Sequence, residues 1–351
     1  MAAVNVLFRV DSSSHIGLGH LQRCLSLAIA LRYFDVPSLF LTNEEPMVRH
    51  RIKRFGFDVR TLDASDSWGI NDLEQTVGAA TAHNCSAIVV DSDYEGAEYL
   101  SNLREAGYYV IAIEDNAPHP FPCHLVINGD AHARQLHYDS LSGDTQFLLG
   151  PDYSILRSEF WEIPARVGTD NVDNILVTLG GADPYNIMPG IFDSLNQMPE
   201  SFSVTAIIGP FFENFAEIQD TAQRKRRSIT LVDAPDSVRE LMSEADLAIS
   251  AGGQTLYELA CVGCPTVAVR MATNQDGQLS EFEKTGFLRI AGHANDKGIV
   301  EAIGEAVRTL LADPQARAVM SAAGQRLIDG QGALRVAEAI LAEVTSALDC
   351  K

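Results

Sequence analysis

Positive charge is scarce in this chain. Its 351 residues carry 26 Lys and Arg against 47 Asp and Glu, a formal net charge of -21. Binding a nucleic-acid backbone needs a basic surface, so the balance excludes nucleic acid as the expected partner. A small nucleotide stays compatible, because backbone N–H groups bind phosphate on an acidic protein as readily as on a basic one. Long apolar runs are also missing. No stretch reaches membrane-spanning length and no basic-plus-apolar leader opens the chain, so membrane insertion is not expected and the reading is cytoplasmic. Cysteines number six, mostly in apolar contexts, which fits free buried thiols in a reducing compartment. Cys261-x-x-Cys264 has no second pair at metal spacing and ends against Pro265, and His119, His124, His132 and His137 are scattered. The expectation is therefore no metal and no cofactor. Short-period repeats and low-complexity segments are absent as well.

What is present is alternation. Short apolar strands are expected near 4–10, 36–41, 57–61, 86–91, 108–114 and 124–128, with helical periodicity between them, including 19–33, 71–83 and 97–106. Residues 115–170 are less regular, and the polar, aperiodic stretch 165–171 reads as a linker. A second alternation begins at Asn174, with strands near 203–208, 229–232, 246–250, 265–269 and 287–290, and the end of the chain is helical. The class is α/β with parallel sheets. With 46% hydrophobic residues the chain can fill two cores. The expected division is 1–165, 172–330 and a final amphipathic helix within 331–351 that can cross back to the first domain. Two such halves imply a cleft with one ligand touching both.

Two stretches concentrate the chemistry. The first follows the apolar strand Val4-Asn5-Val6-Leu7-Phe8. It runs Arg9-Val10-Asp11-Ser12-Ser13-Ser14-His15-Ile16-Gly17-Leu18-Gly19-His20 and enters a helix marked by Leu21, Cys24, Leu25, Ala28 and Leu31. A strand, a glycine loop and a helix put ligands at the carboxyl end of the strand. Gly17 and Gly19 allow backbone to approach a bound group. His20 falls in the first helical turn, where the dipole disfavours an added proton, so a depressed pKa and a neutral imidazole suited to base catalysis are expected. A helix cap is the other reading of His20, and His15 competes for the catalytic role. Two further strands end in acid, Ile88-Val89-Val90 in Asp91-Ser92-Asp93-Tyr94 and Val110-Ile111-Ala112-Ile113 in Glu114-Asp115-Asn116. Asp91 either faces the same crevice or caps the next helix.

The second stretch is Asp246-Leu247-Ala248-Ile249-Ser250 followed by Ala251-Gly252-Gly253-Gln254-Thr255-Leu256-Tyr257-Glu258. The N–H groups of Gly253, Gln254 and Thr255 can hold a diphosphate at a helix start. One turn on, the Glu258 carboxylate can accept from two adjacent ribose hydroxyls, or merely complement the helix dipole. Asn274 and Gln275 follow the next strand, where two amides can read sugar substituents.

Together these stretches resemble the GT-B superfamily, and within it the UDP-sugar hydrolases of pseudaminic acid biosynthesis and their spore-coat polysaccharide relatives. The resemblance rests on Phe8-Arg9-Val10-Asp11-Ser12-Ser13 with Ile16-Gly17-Leu18-Gly19-His20 and Arg23-Cys24. It continues through Gly150-Pro151-Asp152-Tyr153, Leu156-Arg157-Ser158-Glu159-Phe160, Leu179-Gly180-Gly181-Ala182-Asp183-Pro184, Gly253-Gln254-Thr255-Leu256-Tyr257-Glu258-Leu259 and Asn274-Gln275. It implies two Rossmann-like domains, with UDP on the second. Glu258 would hold ribose, Gly180, Gly181, Gly252 and Gly253 would approach the diphosphate, and backbone near Val232 would meet uracil. The sugar would lie toward Asp11, Gly17, Gly19, Asp91, Tyr94, Asn274 and Gln275. Water activated by His20 would attack the anomeric carbon of UDP-2,4-diacetamido-2,4,6-trideoxy-β-L-altrose, and UDP would leave with inversion and without a metal. The same UDP site would also serve a glycosyltransferase of surface polysaccharide synthesis. One departure stands out: Asp91-Ser92-Asp93-Tyr94 occupies the place of an Asp-His-Tyr-like run. Nothing in the sequence speaks to oligomeric state.

Overall fold

The computed structural model describes residues 4–11, 19–43, 45–62, 68–92 and 96–349. They form two compact units, one of residues 1–158 with 331–351 and one of residues 159–330. The first unit runs β1 (Val6–Val10), α1 (Gly19–Tyr33), β2 (Ser38–Thr42), α2 (Pro46–Arg54), β3 (Asp58–Thr61), α3 (Ile70–Ala82), β4 (Ala87–Asp91), α4 (Ala97–Glu105), β5 (Tyr109–Ile113), β6 (Leu125–Asn128) and β7 (Gln146–Leu149). The second runs β8 (Asn174–Thr178), α5 (Met188–Asn196), β9 (Ser203–Ile208), α6 (Phe215–Gln223), β10 (Ile229–Asp233), α7 (Arg239–Glu244), β11 (Leu247–Ala251), α8 (Gln254–Cys261), β12 (Thr266–Arg270), α9 (Asp276–Thr285), β13 (Leu288–His293), α10 (Ile299–Leu311) and α11 (Pro314–Leu327). The last helix, α12 (Gly332–Asp349), packs with the first unit.

Both sheets are parallel and doubly wound. The first has the order β3-β2-β1-β4-β5-β6-β7, the second β10-β9-β8-β11-β12-β13. In each, the chain starts mid-sheet, winds outward to one edge, then returns to wind the other way. The first and fourth strands of each unit are therefore neighbours whose following segments leave in opposite directions, and the crevice at their carboxyl ends is where ligands bind in such sheets. The central strands are buried on both faces, as parallel strands covered by helices must be, and they read as continuous apolar runs. Every residue of β1, β4, β5 and β11 is buried. The α/β class expected from the alternation is the observed one. Strand β7 was not expected. It is a partly exposed four-residue edge strand, too short for its pattern to stand out from the surrounding loop.

One buried charge sits inside β1. Arg9 is fully buried between apolar neighbours. Its guanidinium donates to Asp72 (Nε–Oδ1 3.0 Å, Nη2–Oδ2 2.6 Å) and to Asp11 (Nη1–Oδ1 2.6 Å, Nη2–Oδ2 3.2 Å). The Trp68 ring lies 4.0 Å from its central carbon. Tyr99 Oη and Trp68 N complete the shell of Asp72 at 2.8 and 2.9 Å. A buried ion pair stands only when its remaining polar atoms are hydrogen-bonded, and here they are. Despite the desolvation that opposes it, the Arg9 pairing holds Asp72 below the ordinary carboxylate value.

Helix α12 sets the position of α1. Ala333, Val336, Ala337, Ile340 and Val344 make a buried stripe at helical spacing, and the helix packs on α1. Helix α1 is consequently buried nearly all round, from Leu21 to Leu31. The junction is tight. A Cβ at Gly332 would fall on the Ser154 backbone, as would one at Gly129 from the other side. Arg335 Nη1 also donates to the Asp152 carbonyl at 3.0 Å. The turn at Gly150-Pro151-Asp152-Tyr153 is thus the seat of the chain's last helix. Gly332→Ala should lower unfolding stability by about 1–3 kcal/mol, the usual cost of overpacking. Urea denaturation followed by circular dichroism would measure this.

The polar stretch 165–171 is bound by side chains from far along the chain. Arg166 donates to the Ser243 and Ala245 carbonyls, Arg317 Nη2 to the carbonyls of Thr169 and Asp170 at 3.0 and 2.7 Å, and Gln325 to that of Pro164 at 3.0 Å. Its polarity satisfies these partners, and local sequence cannot show that.

Candidate functional site

The crevice of the first sheet collects charge. Register pairs Val10 of β1 with Asp91 of β4 and Asp91 with Ile113 of β5. Asp11, Asp91 and the Glu114-Asp115 pair therefore end three adjacent strands on one sheet edge. Helix α1, which leaves the loop after β1, brings His20 and Arg23 to the same edge. His20 Nδ1 lies 2.8 Å from Asp91 Oδ1. Arg23 grips the same carboxylate with two nitrogens, Nε to Oδ2 and Nη2 to Oδ1, both at 2.7 Å. Its third, Nη1, donates to Asp115 Oδ1 at 2.6 Å. The Cys24 thiol donates to Asp91 Oδ2 at 3.2 Å.

Asp91 is fully buried. Burial alone would raise its pKa, but the charges and hydrogen bonds of Arg23 and His20 hold it far below the usual carboxylate range. Burial pushes His20 down, yet the Asp91 charge and contact outweigh it, and the imidazole sits above its ordinary value. This corrects the expectation of a depressed pKa drawn from the helix start. A carboxylate in contact is a stronger local field than the partial charge of a helix terminus. Burial and Asp91 together also push the Cys24 thiol well up, so it stays a neutral donor.

Sequence reasoning placed His20, Asp11 and Asp91 at this edge but missed how they are held. Asp91 does not cap a helix: its carboxylate is occupied by His20, Arg23 and Cys24. Asp11 is buried and gripped by Arg9. Arg23 had a usable signal, since it follows His20 by three residues and so shares its helix face. Glu114 is spent locally. It accepts from Asn116 N and Ala117 N at 2.6 and 2.7 Å and from the Tyr138 hydroxyl. Gly19 opens α1, and no atom of the described residues lies within 4 Å of where a Cβ would stand. Gly17, Tyr94 and the competing His15 lie outside the described residues.

The second crevice is built from backbone. Gly180 follows β8 with φ +81°. Gly209, after β9, approaches so closely that a Cβ there would meet the carbonyl oxygens of Gly180 and Gly181. Asp183 fixes the far side of this loop by accepting from Ile187 N and Met188 N at 3.1 and 2.9 Å, at the start of α5. After β11, Gly253 has φ +110° and caps α8, a conformation that L side chains rarely adopt. Gln254 and Thr255 form the first turn of α8, with their N–H groups at its unpaired end. Glu258 lies one turn further in and is buried. Gln275 holds two loops together: its Oε1 accepts from Met271 N at 2.8 Å and its Nε2 donates to the Gly252 carbonyl at 3.3 Å. Asn274 beside it is exposed, and Val232 lies partly buried near the end of β10. Among the described residues no three His, Cys, Asp or Glu side chains converge as a metal site, and no helix is long and apolar enough to cross a membrane.

Known proteins share both the sequence and the architecture. Residues 174–332 match the family model of the glycosyltransferase family 28 C-terminal domain. The MurG crystal structure from Acinetobacter baumannii superposes with a TM-score of 0.70 at 16% identity, covering 96% of this chain and 99% of that one. This is a GT-B fold. Another neighbour is Anabaena HepE in complex with UDP, with a TM-score of 0.61 and 15% identity over 97% of this chain and 100% of that one. Among sequence relatives, an uncharacterized protein of Methanocaldococcus jannaschii is 29% identical over 78% of this chain. The spore coat polysaccharide biosynthesis protein SpsG of Bacillus subtilis is 27% identical over 60% of it. The chain spans 58% and 61% of the length of those two relatives. The UDP-2,4-diacetamido-2,4,6-trideoxy-β-L-altropyranose hydrolase of Campylobacter jejuni is 24% identical over 81% of this chain and 98% of its own length.

The contact between Gly209 and the Gly180–Gly181 carbonyls yields a test of the second crevice. Gly209→Ala forces backbone apart and should cost about 1–3 kcal/mol of stability, with the Gly180–Gly181 loop displaced in a crystal structure of the variant. An unmoved loop and unchanged denaturation midpoint would contradict the packing described.

Proposed function

We propose that this GT-B protein hydrolyses a UDP-sugar of the 2,4-diacetamido-2,4,6-trideoxy-β-L-altrose type. The observation that carries the reading is the contact between His20 and the buried Asp91 carboxylate at the first crevice, joined to the similarity to the Campylobacter hydrolase. In this reading neutral His20 keeps its proton on Nδ1, directed at the Asp91 carboxylate, which leaves the Nε2 lone pair to accept a proton from water. The water oxygen bonds to the anomeric carbon, the bond from that carbon to the diphosphate oxygen breaks, and its electron pair leaves with UDP. A single displacement inverts the configuration at carbon. The proton passes from His20 to solvent.

The second unit is the proposed UDP holder. Gly180, Gly181, Gly252 and Gly253 are assigned to the diphosphate, with Gly252 packed against Gln275, and the N–H groups of Gly253, Gln254 and Thr255 at the start of α8 stabilise its developing charge without a metal. Glu258 accepts from the ribose hydroxyls and backbone at Val232 meets uracil. Asp11, Gly17, Gly19, Tyr94 and Asn274 are assigned to the sugar side. Asp91 and Gln275 act there through what they hold, His20 and the Gly252 loop. A glycosyltransferase using the same UDP site is the second reading, favoured by the family 28 match over residues 174–332. Release of UDP from the nucleotide sugar with no acceptor present separates the two.

His20→Ala should cut turnover by about a hundredfold or more, as loss of a general base does, with UDP affinity by calorimetry nearly unchanged. Because the His20 pKa is raised, the base form is lost as pH falls through a value above that of an ordinary histidine. The acid limb of the rate profile should therefore lie above the usual imidazole range and level off at higher pH. Glu258→Ala should weaken UDP binding by about 1–3 kcal/mol in a folded protein; unchanged affinity would remove Glu258 from the nucleotide site.

A further inference from the structure

We propose that Arg23 is a positioning residue for His20: it shares Asp91 Oδ1 with the imidazole, neutralises the buried carboxylate, and so sets the pH at which His20 takes up a proton. The inference rests on the reading of His20 as the base and deepens it. Four groups are joined in a row. His20 Nδ1 meets Asp91 Oδ1 at 2.8 Å, Arg23 Nη2 meets the same oxygen at 2.7 Å, and Arg23 Nη1 meets Asp115 at 2.6 Å. They come from α1, from the end of β4 and from the segment after β5, and the charges of Asp91, Arg23 and Asp115 all act on His20.

A carboxylate buried beside a histidine without another partner would hold the imidazolium tightly, and a histidine that keeps its proton is no base. Arg23 changes that balance in two ways. Its planar fork claims both Asp91 oxygens, which fixes the carboxylate whose Oδ1 lies 2.8 Å from Nδ1. Its charge offsets part of the field that Asp91 imposes on the ring. The ring is thereby oriented while its hold on the proton stays weaker than Asp91 alone would make it. Asp115 pulls the other way. It draws on the Arg23 charge and adds its own negative charge, which favours protonated His20. With about a third of its side chain exposed, it is the member of the row that can be changed with least disturbance to packing. A purely structural role for Arg23, filling and neutralising the core, would not couple its charge to the titration of His20.

The experiment is a titration of histidine-labelled protein by nitrogen NMR, with His20 assigned through His20→Ala. The wild type should show the proton on Nδ1 in neutral His20. Arg23→Gln should move the His20 midpoint up by about one pH unit, the scale that one neighbouring charge sets. Asp115→Asn should move it down by less, and Arg23→Lys should hold it between wild type and Arg23→Gln. The acid limb of acceptor-free UDP release should shift in step. A midpoint that stays in place in folded Arg23→Gln, or a wild-type proton on Nε2, overturns the proposal. If Arg23→Gln does not fold, Asp115→Asn decides: a downward shift supports the coupling, an unmoved midpoint rejects it. The titration needs no substrate. Wild type that releases no UDP would therefore remove the hydrolase reading alone, while an unmoved titration with UDP release intact would remove this coupling alone.

Discussion

A carboxylate with no exposure to water, at the end of a central strand, must be paired or protonated. Asp91 is paired, and much of the first unit follows from how. It needs donors that reach the carboxyl end of β4, and the helix after the neighbouring β1 supplies them. Helix α1 must therefore begin beside that strand end, with His20 and Arg23 three residues apart on one face. Arg23 in turn is too long and too charged to end at Asp91. Its third donor reaches Asp115 after β5, so three strand ends become one electrostatic unit. A second clamp, Arg9 with Asp72 and Asp11, fixes the strand before the loop in the same manner. The buried carboxylates Asp72 and Asp91 each accept two hydrogen bonds from an arginine, the condition under which buried charge lends rigidity rather than instability.

The two units share a winding and solve different problems with it. At the switch point of the first sheet the chain invests in charged side chains, which can orient a ring and hold a proton. At the switch point of the second it invests in glycines and a helix start, an arrangement that suits N–H groups to a bulky anion. Gly209 against Gly180 and Gly181 shows the second device, because only the missing Cβ lets the two loops meet. Gln275 ties the Gly252 loop to Met271 in the same spirit, a side chain serving backbone geometry.

What could be read from the sequence was what is local. Strand, glycine loop and helix stand in consecutive residues, so the α/β class and the Gly180, Gly253 and His20 junctions were legible. The pairings of Arg23 were not, because Asp91 and Asp115 stand 68 and 92 positions away from it, and nothing in a linear pattern says which acid an arginine will meet. The same separation hid Asp72 behind Arg9 and Arg317 behind the polar stretch near Asp170. The pKa of His20 was misread for a related reason. The helix start is visible in sequence and lowers proton affinity; the acid in contact is not visible and raises it more. Strand β7 escaped because four half-exposed residues at an edge carry too little pattern.

The placement of His20 also depends on the far end of the chain. Helix α1 has few polar positions beyond its first turns, and one face of it would lie bare without α12. An apolar helix left half uncovered would be free to shift by a fraction of a turn, and a shift of about an ångström is enough to spoil a catalytic contact. Gly332 on the Ser154 backbone and Arg335 on the Asp152 carbonyl remove that freedom by locking the entry of α12 to the turn after β7. The return of the chain to its first unit thus sets the rigid wall against which the row from His20 to Asp115 keeps its distances.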